Sequence, residues 1–175
     1  MEAQVISPPI GAVQWPLRVL AGLDKLVTAG VLAAVAVMVA VVSSQVALRY
    51  GLNRSIDWAD ELGRLAFVWA IFLAIPLGVR EGSHIGIDLM VDKLPPALKG
   101  PLRRAGAALG AMMMLAIAWA ALGVAREQWD ELMSTVDLSV AWFILPVGIG
   151  ALLSALHLLR VVVAGPPPAR VGGAE

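Results

Sequence analysis

From Leu65 to Val79 the chain runs for fifteen residues without a charge, and charged borders close the run at both ends. Before it stands Asp57-Trp58-Ala59-Asp60-Glu61-Leu62-Gly63-Arg64, and after it Arg80-Glu81-Gly82-Ser83-His84-Ile85-Gly86-Ile87-Asp88. Hydrocarbon between two polar edges is the pattern of a helix crossing a bilayer with its charges at the two water interfaces. Every other assignment in the chain has to be made around that segment.

Three further apolar stretches accompany it, at roughly 26–48, 105–124 and 140–163. The sequence therefore predicts an all-α membrane protein with four transmembrane helices and a surface-lying connection between the second and third. Only 15% of its 175 residues are charged, while 59% are hydrophobic; an ordinary soluble domain carries roughly 25% charged residues. The expected division is an N-terminal tail with a possible interfacial helix over 1–23, a membrane domain over 24–163 and a flexible tail over 164–175. The first apolar run is too long for the core of a signal peptide and is expected to be a retained anchor.

Local chemistry sharpens these expectations. Trp15 to Lys25 reads either as a short segment at the headgroup level or as an extension of the first span. In that span Gly30, Ala33, Ala34, Ala36 and Ala40 offer small surfaces for close helix approach. Asp57 is the expected N-cap of the second helix, with Asp60 and Glu61 in its first turn. Arg64, four residues after Asp60 and three after Glu61, can meet both on one face. Pro76 removes the usual donor for the Phe72 carbonyl and predicts a kink. Pro96 is placed to open a short helix through Lys99. Gly106 and Gly110 form a GxxxG pair, and Pro146, Gly148 and Gly150 predict an irregular fourth span.

Much chemistry is excluded. With no cysteine, thiolate nucleophiles, disulfides and Cys-ligated metals are out. A formal net charge of zero and the lack of a long basic run leave no footprint for nucleic acid. Neither a phosphate-binding Gly-rich loop nor paired intramembrane carboxylates occur, so no aqueous transport path is evident. Met112, Met113 and Met114 occupy successive helical positions, which cannot converge on one ion. The sequence thus predicts no enzyme, no catalytic residue and no cofactor. His84 and His157, both toward the same side of the membrane, leave open the alternative of a haem-bearing or anchoring subunit of a respiratory enzyme, and a homo-oligomeric small pore is a third possibility.

Three motifs in order suggest a family. Arg80-Glu81-Gly82-Ser83-His84-Ile85-Gly86-Ile87-Asp88 resembles the R-x-G-x-H-I-x-(V/I)-D segment of the small, DctQ-type membrane subunit of tripartite ATP-independent periplasmic (TRAP) transporters. Trp58-Ala59-Asp60-Glu61-Leu62-Gly63-Arg64 is similar to the W-x-x-E-x-x-R start of that family's second helix, and Leu145-Pro146-Val147-Gly148 to its last-helix signature. Gly86 and Asp60 stand at variable positions and neither strengthen nor weaken the match. The resemblance, covering roughly 24–163, implies an accessory subunit that binds a large multi-span transporter subunit and works with an extracytoplasmic solute-binding protein. It implies uptake of organic acids driven by an ion gradient, usually sodium, in the bacterial inner membrane. Trp58, Asp60, Glu61, Arg64, Arg80, Gly82, His84, Asp88, Pro146 and Gly148 are then expected to serve subunit contact or membrane anchoring, among partners that include membrane lipid.

Four spans put both termini and the 80–104 connection on one side, with nine basic residues there against four on the other. That bias predicts both termini in the cytoplasm. A reporter that works only outside the cell should therefore stay silent when fused after Glu175; an active fusion would reverse the orientation.

Overall fold

The computed structural model describes residues 14–81 and 96–165. They form four helices: α1 (Gln14–Gly51), α2 (Ala59–Arg80), α3 (Pro96–Glu127) and α4 (Ala141–Ala164). All four are long and apolar enough to cross a membrane. Even the 22 residues of α2 rise about 33 Å at about 1.5 Å per residue, enough for a hydrocarbon core of about 30 Å.

The helices stand in an open row. Among the described residues α1 packs on α2, α2 on α4 and α4 on α3, while α1 and α3 have no helix–helix contact with each other. One end of the row, here the terminal end, holds the start of α1, the close of α2, the start of α3 and the close of α4. The other, the loop end, carries the α1–α2 and α3–α4 loops. The described residues enclose no interior, and among them the apolar faces of α1 and α3 are uncovered, with Leu26, Leu32, Leu109 and Trp119 all well exposed.

Helix boundaries follow local chemistry, with some departures from the sequence expectations. The stretch from Trp15 to Lys25 is no separate segment but the opening of one 38-residue helix. That helix ends where Asn53 turns left-handed (φ 50°) and the Leu52 and Arg54 amides fold back onto the Leu48 carbonyl. Trp58, not Asp57, occupies the N-cap of α2, without a side-chain cap bond; Asp60 and Glu61 still favour the helix dipole from the first turn. The turn at Pro96 is continuous with the third span through Pro101.

The fourth span, expected to be irregular, is an unbroken helix of 24 residues. The reason lies in how α2 and α4 meet. Pro146 cannot donate to the Trp142 carbonyl, and the indole N–H of Trp69 on α2 donates to that carbonyl at 3.0 Å. The two rings lie 6.1 Å apart. Pro76 likewise releases the Phe72 carbonyl, and Gly150 of α4 lies directly against it: a Cβ there would sit 2.2 Å from the Phe72 oxygen. Each proline is fully buried, and each freed carbonyl faces the neighbouring helix.

Small residues set the other two seams. Ala107, Ala111, Ala121 and Ala125 of α3 are buried against α4, where a Cβ on Gly110 would lie 3.2 Å from Leu158 Cδ1. Its GxxxG mate Gly106 faces open space, so only half of that motif is a contact. On α1 the contact stripe is Val27, Gly30, Ala34 and Met38, while Ala33, Ala36 and Ala40 are exposed. Gly30 receives Leu73 of α2, and Gly63 of α2 receives Val42 of α1.

Backbone cannot yield to a new methyl group as a flexible side chain can. Gly150→Ala should therefore push α4 off α2 and cost about 1–3 kcal/mol, read as a lowered melting temperature of the detergent-purified chain; Gly106→Ala, with open space for its methyl, should not lower it.

Candidate functional site

Polar contacts gather at the two ends of the row. At the loop end, Glu61 turns away from its own helix and accepts hydrogen bonds from the backbone N–H groups of Ser134 and Thr135, each at 2.8 Å. The Thr135 hydroxyl donates to the same carboxylate. The loop so held, 128–140, is already folded back on itself: Met133 N–H donates to the Leu138 carbonyl at 2.9 Å and Val140 N–H to that of Glu131 at 2.8 Å. Ser139 closes its base, donating to the Gln128 carbonyl and accepting from the Ala141 amide. A charged acceptor from α2 thus sets the position of the α3–α4 loop.

The neighbouring side chains go elsewhere. Asp60 accepts from Gln45 of α1 at 3.0 Å. Arg64 is exposed and makes no ion pair among the described residues. The expected meeting of Asp60, Glu61 and Arg64 on one face does not form, because each acid has a partner on another element. Trp58 is 46% exposed at this end, beside the Asp60 and Glu61 turn.

At the terminal end, Arg80 reaches Asp24 of α1, with its Nη1 3.2 Å from Oδ2, and also lies 3.4 Å from the exposed carboxylate of Glu81. The other Asp24 oxygen lies 3.0 Å from Nε2 of His157 on α4. Asp24 and His157 are both buried. This contact occupies the ring nitrogen that haem ligation through Nε2 would need. Gly82, His84 and Asp88 lie outside the described residues. Pro146 and Gly148 belong to the middle of the row: Pro146 fully buried in the α2–α4 seam, Gly148 against Ala121 of α3.

Sequence reasoning missed Asp24, Gln45, Trp69 and Gly150. Asp24 did carry a signal, since it falls on the same helical stripe as Val27, Ala34 and Met38 and so on the contact face of α1. Gln45 continues that stripe. Nothing local marks Trp69, whose role exists only because Pro146 stands on a different helix.

No cluster of three or more His, Asp or Glu suited to a metal ion occurs among the described residues. A groove of about 490 Å³ opens near the loop end, lined by Ala34, Val37, Leu65, Trp69, Leu138 and Trp142 among others. Its walls are apolar and carry no ionisable group, which suits hydrocarbon and not a charged solute.

Residues 38–165 match the model of the family described as tripartite ATP-independent periplasmic transporters, DctQ component. The chain is 39% identical over 61 residues to a putative TRAP transporter small permease protein of Haemophilus influenzae, covering 35% of this chain and 38% of that one. It is 28% identical over 78 residues to the sialic acid TRAP transporter small permease protein SiaQ of Vibrio cholerae, covering 45% and 43%. The isethionate TRAP transporter permease protein DctMQ of Oleidesulfovibrio alaskensis is 25% identical over 107 residues, 59% of this chain but 16% of that protein. These matches span less than half the length of each relative.

The loop-end geometry separates two residues of one motif. Glu61→Ala should release the loop, so that the Ser134 and Thr135 amides exchange hydrogen markedly faster; Arg64→Ala should leave their exchange as it is.

Proposed function

Since this chain belongs to the DctQ component family of tripartite ATP-independent periplasmic transporters, we propose that it is the non-catalytic small membrane subunit of an uptake system for organic acids. It supports a large multi-span subunit that carries the transport path and an extracytoplasmic solute-binding protein that delivers the solute. An ion gradient, of sodium in the first instance, drives the uptake. The observation that carries this reading is the family match over most of the membrane domain, joined to an open row of helices whose described ionisable groups lie toward its ends.

Other features agree with it. The relative named DctMQ contains the matching region as a small part of a much longer permease, which favours a large permease as neighbour. The names of relatives include sialic acid and isethionate, both organic acids. With the termini in the cytoplasm, the loop end faces outward, where Trp58, Asp60, Glu61 and Arg64 and the pinned 128–140 loop stand ready for the binding protein. Arg80, Gly82, His84 and Asp88 then belong to the cytoplasmic side and to assembly, and Pro146 and Gly148 to the packing of the helices within the row. Because Arg64 is exposed and unpaired among the described residues, it is the side chain of the outer motif most open to a partner.

The chain should copurify with a large hydrophobic subunit, and its deletion should abolish uptake of the organic acid; normal uptake without it would refute the proposal. Arg64→Ala should leave the complex intact in pull-down while weakening engagement of the binding protein.

A further inference from the structure

The matched family segment begins at residue 38, yet the residue that holds the terminal end together lies before it. We propose that Asp24 is a positioning residue for Arg80, the first residue of the inner motif, and the latch that fastens α1 to α4.

The geometry is specific. Asp24 is 8% exposed and His157 4%, and the two carboxylate oxygens are divided between them, Oδ2 toward Arg80 and Oδ1 toward His157. One carboxylate thus serves three helices. At that turn the Thr28 hydroxyl donates to the Asp24 backbone carbonyl at 2.8 Å, so the carboxylate is left to its two partners on the other helices. Among the described residues α1 otherwise packs on α2 alone, so there Asp24 supplies the direct tie between α1 and α4. A buried carboxylate is tolerated only when paired and hydrogen-bonded, and here Arg80 brings the charge while His157 brings the second bond. The groups around the cluster are Asp24 and the exposed Lys25 on α1, Arg80 and Glu81 at the close of α2, and His157 with the exposed Arg160 on α4. Glu81, 3.4 Å from Arg80 and 57% exposed at its side chain, is the alternative partner. Without Asp24, the guanidinium would swing to Glu81 and water, and the close of α2 would lose its hold on α1.

The chain has no cysteine, so cysteines can be introduced in pairs for spin labels in the full chain in lipid nanodiscs. Labels at Ala21 and Leu159 report on α1 against α4; labels at Ala29 and Ile75 report on α1 against α2. All four positions are exposed. Asp24→Ala should broaden the first distance distribution, and an unchanged narrow distribution would overturn the latch. His157→Gln, which leaves the Arg80 pair in place, should broaden the first distribution and spare the second; equal broadening of both would also overturn it. The hold on Arg80 is tested by a double-mutant cycle on uptake. Asp24→Asn and Arg80→Gln together should lose no more than the worse single variant, whereas additive losses would mean that the two residues act independently. The label distances do not depend on the transport reading, so failure of the latch and failure of the proposed function are distinguishable.

Discussion

Hydrocarbon gives a backbone carbonyl nothing to bond to, and in the central seam of this row two prolines, Pro76 and Pro146, each release one. The answer to both lies across a single seam. Trp69 reaches from α2 to the Trp142 carbonyl that Pro146 frees, and Gly150 of α4 lets its backbone lie against the Phe72 carbonyl that Pro76 frees. The two helices at the centre of the row thus answer each other's prolines, and α1 and α3 are attached to their outer sides.

The described ionisable side chains are confined to the ends. In the middle, contacts are made chiefly by glycine, alanine, proline and branched apolar side chains, with the Ser154 hydroxyl turned back onto the Gly150 carbonyl; at the loop end a carboxylate collects two amides and a hydroxyl, and at the terminal end another is shared by an arginine and a histidine. Among the described residues the outer faces of α1 and α3 stay apolar and exposed, surfaces suited to being covered by lipid and by other helices.

The four helices were legible because each span is a long apolar run with polar borders, a signal that does not depend on tertiary contact. Their ends were less so. Asp57 has the right chemistry for a cap, but Trp58 takes the position; the fourth span contains every local reason to break, but its broken hydrogen bond is answered from α2. The same limit applies to the motif that opens α2. Helical spacing puts Asp60, Glu61 and Arg64 within reach of one another, and spacing alone cannot show that Gln45 and Thr135 bind the two acids first. Asp24 was overlooked for a related reason, an acid near the start of an apolar helix looking like a solvated end until the stripe beneath it is traced.

Two ties join α1 to α2, Asp24 with Arg80 and Gln45 with Asp60. Along α1 the tied residues are twenty-one apart and along α2 twenty apart, about 30 Å on either helix and equal to the hydrocarbon thickness of a typical bilayer. The pair therefore behaves as a gauge. In a thinner or thicker membrane one tie or the other would be drawn into the wrong medium, with a mismatch cost of a fraction of a kcal/mol for each ångström. Lipid thickness would thus set the strain in the pair and the height at which the α3–α4 loop stands.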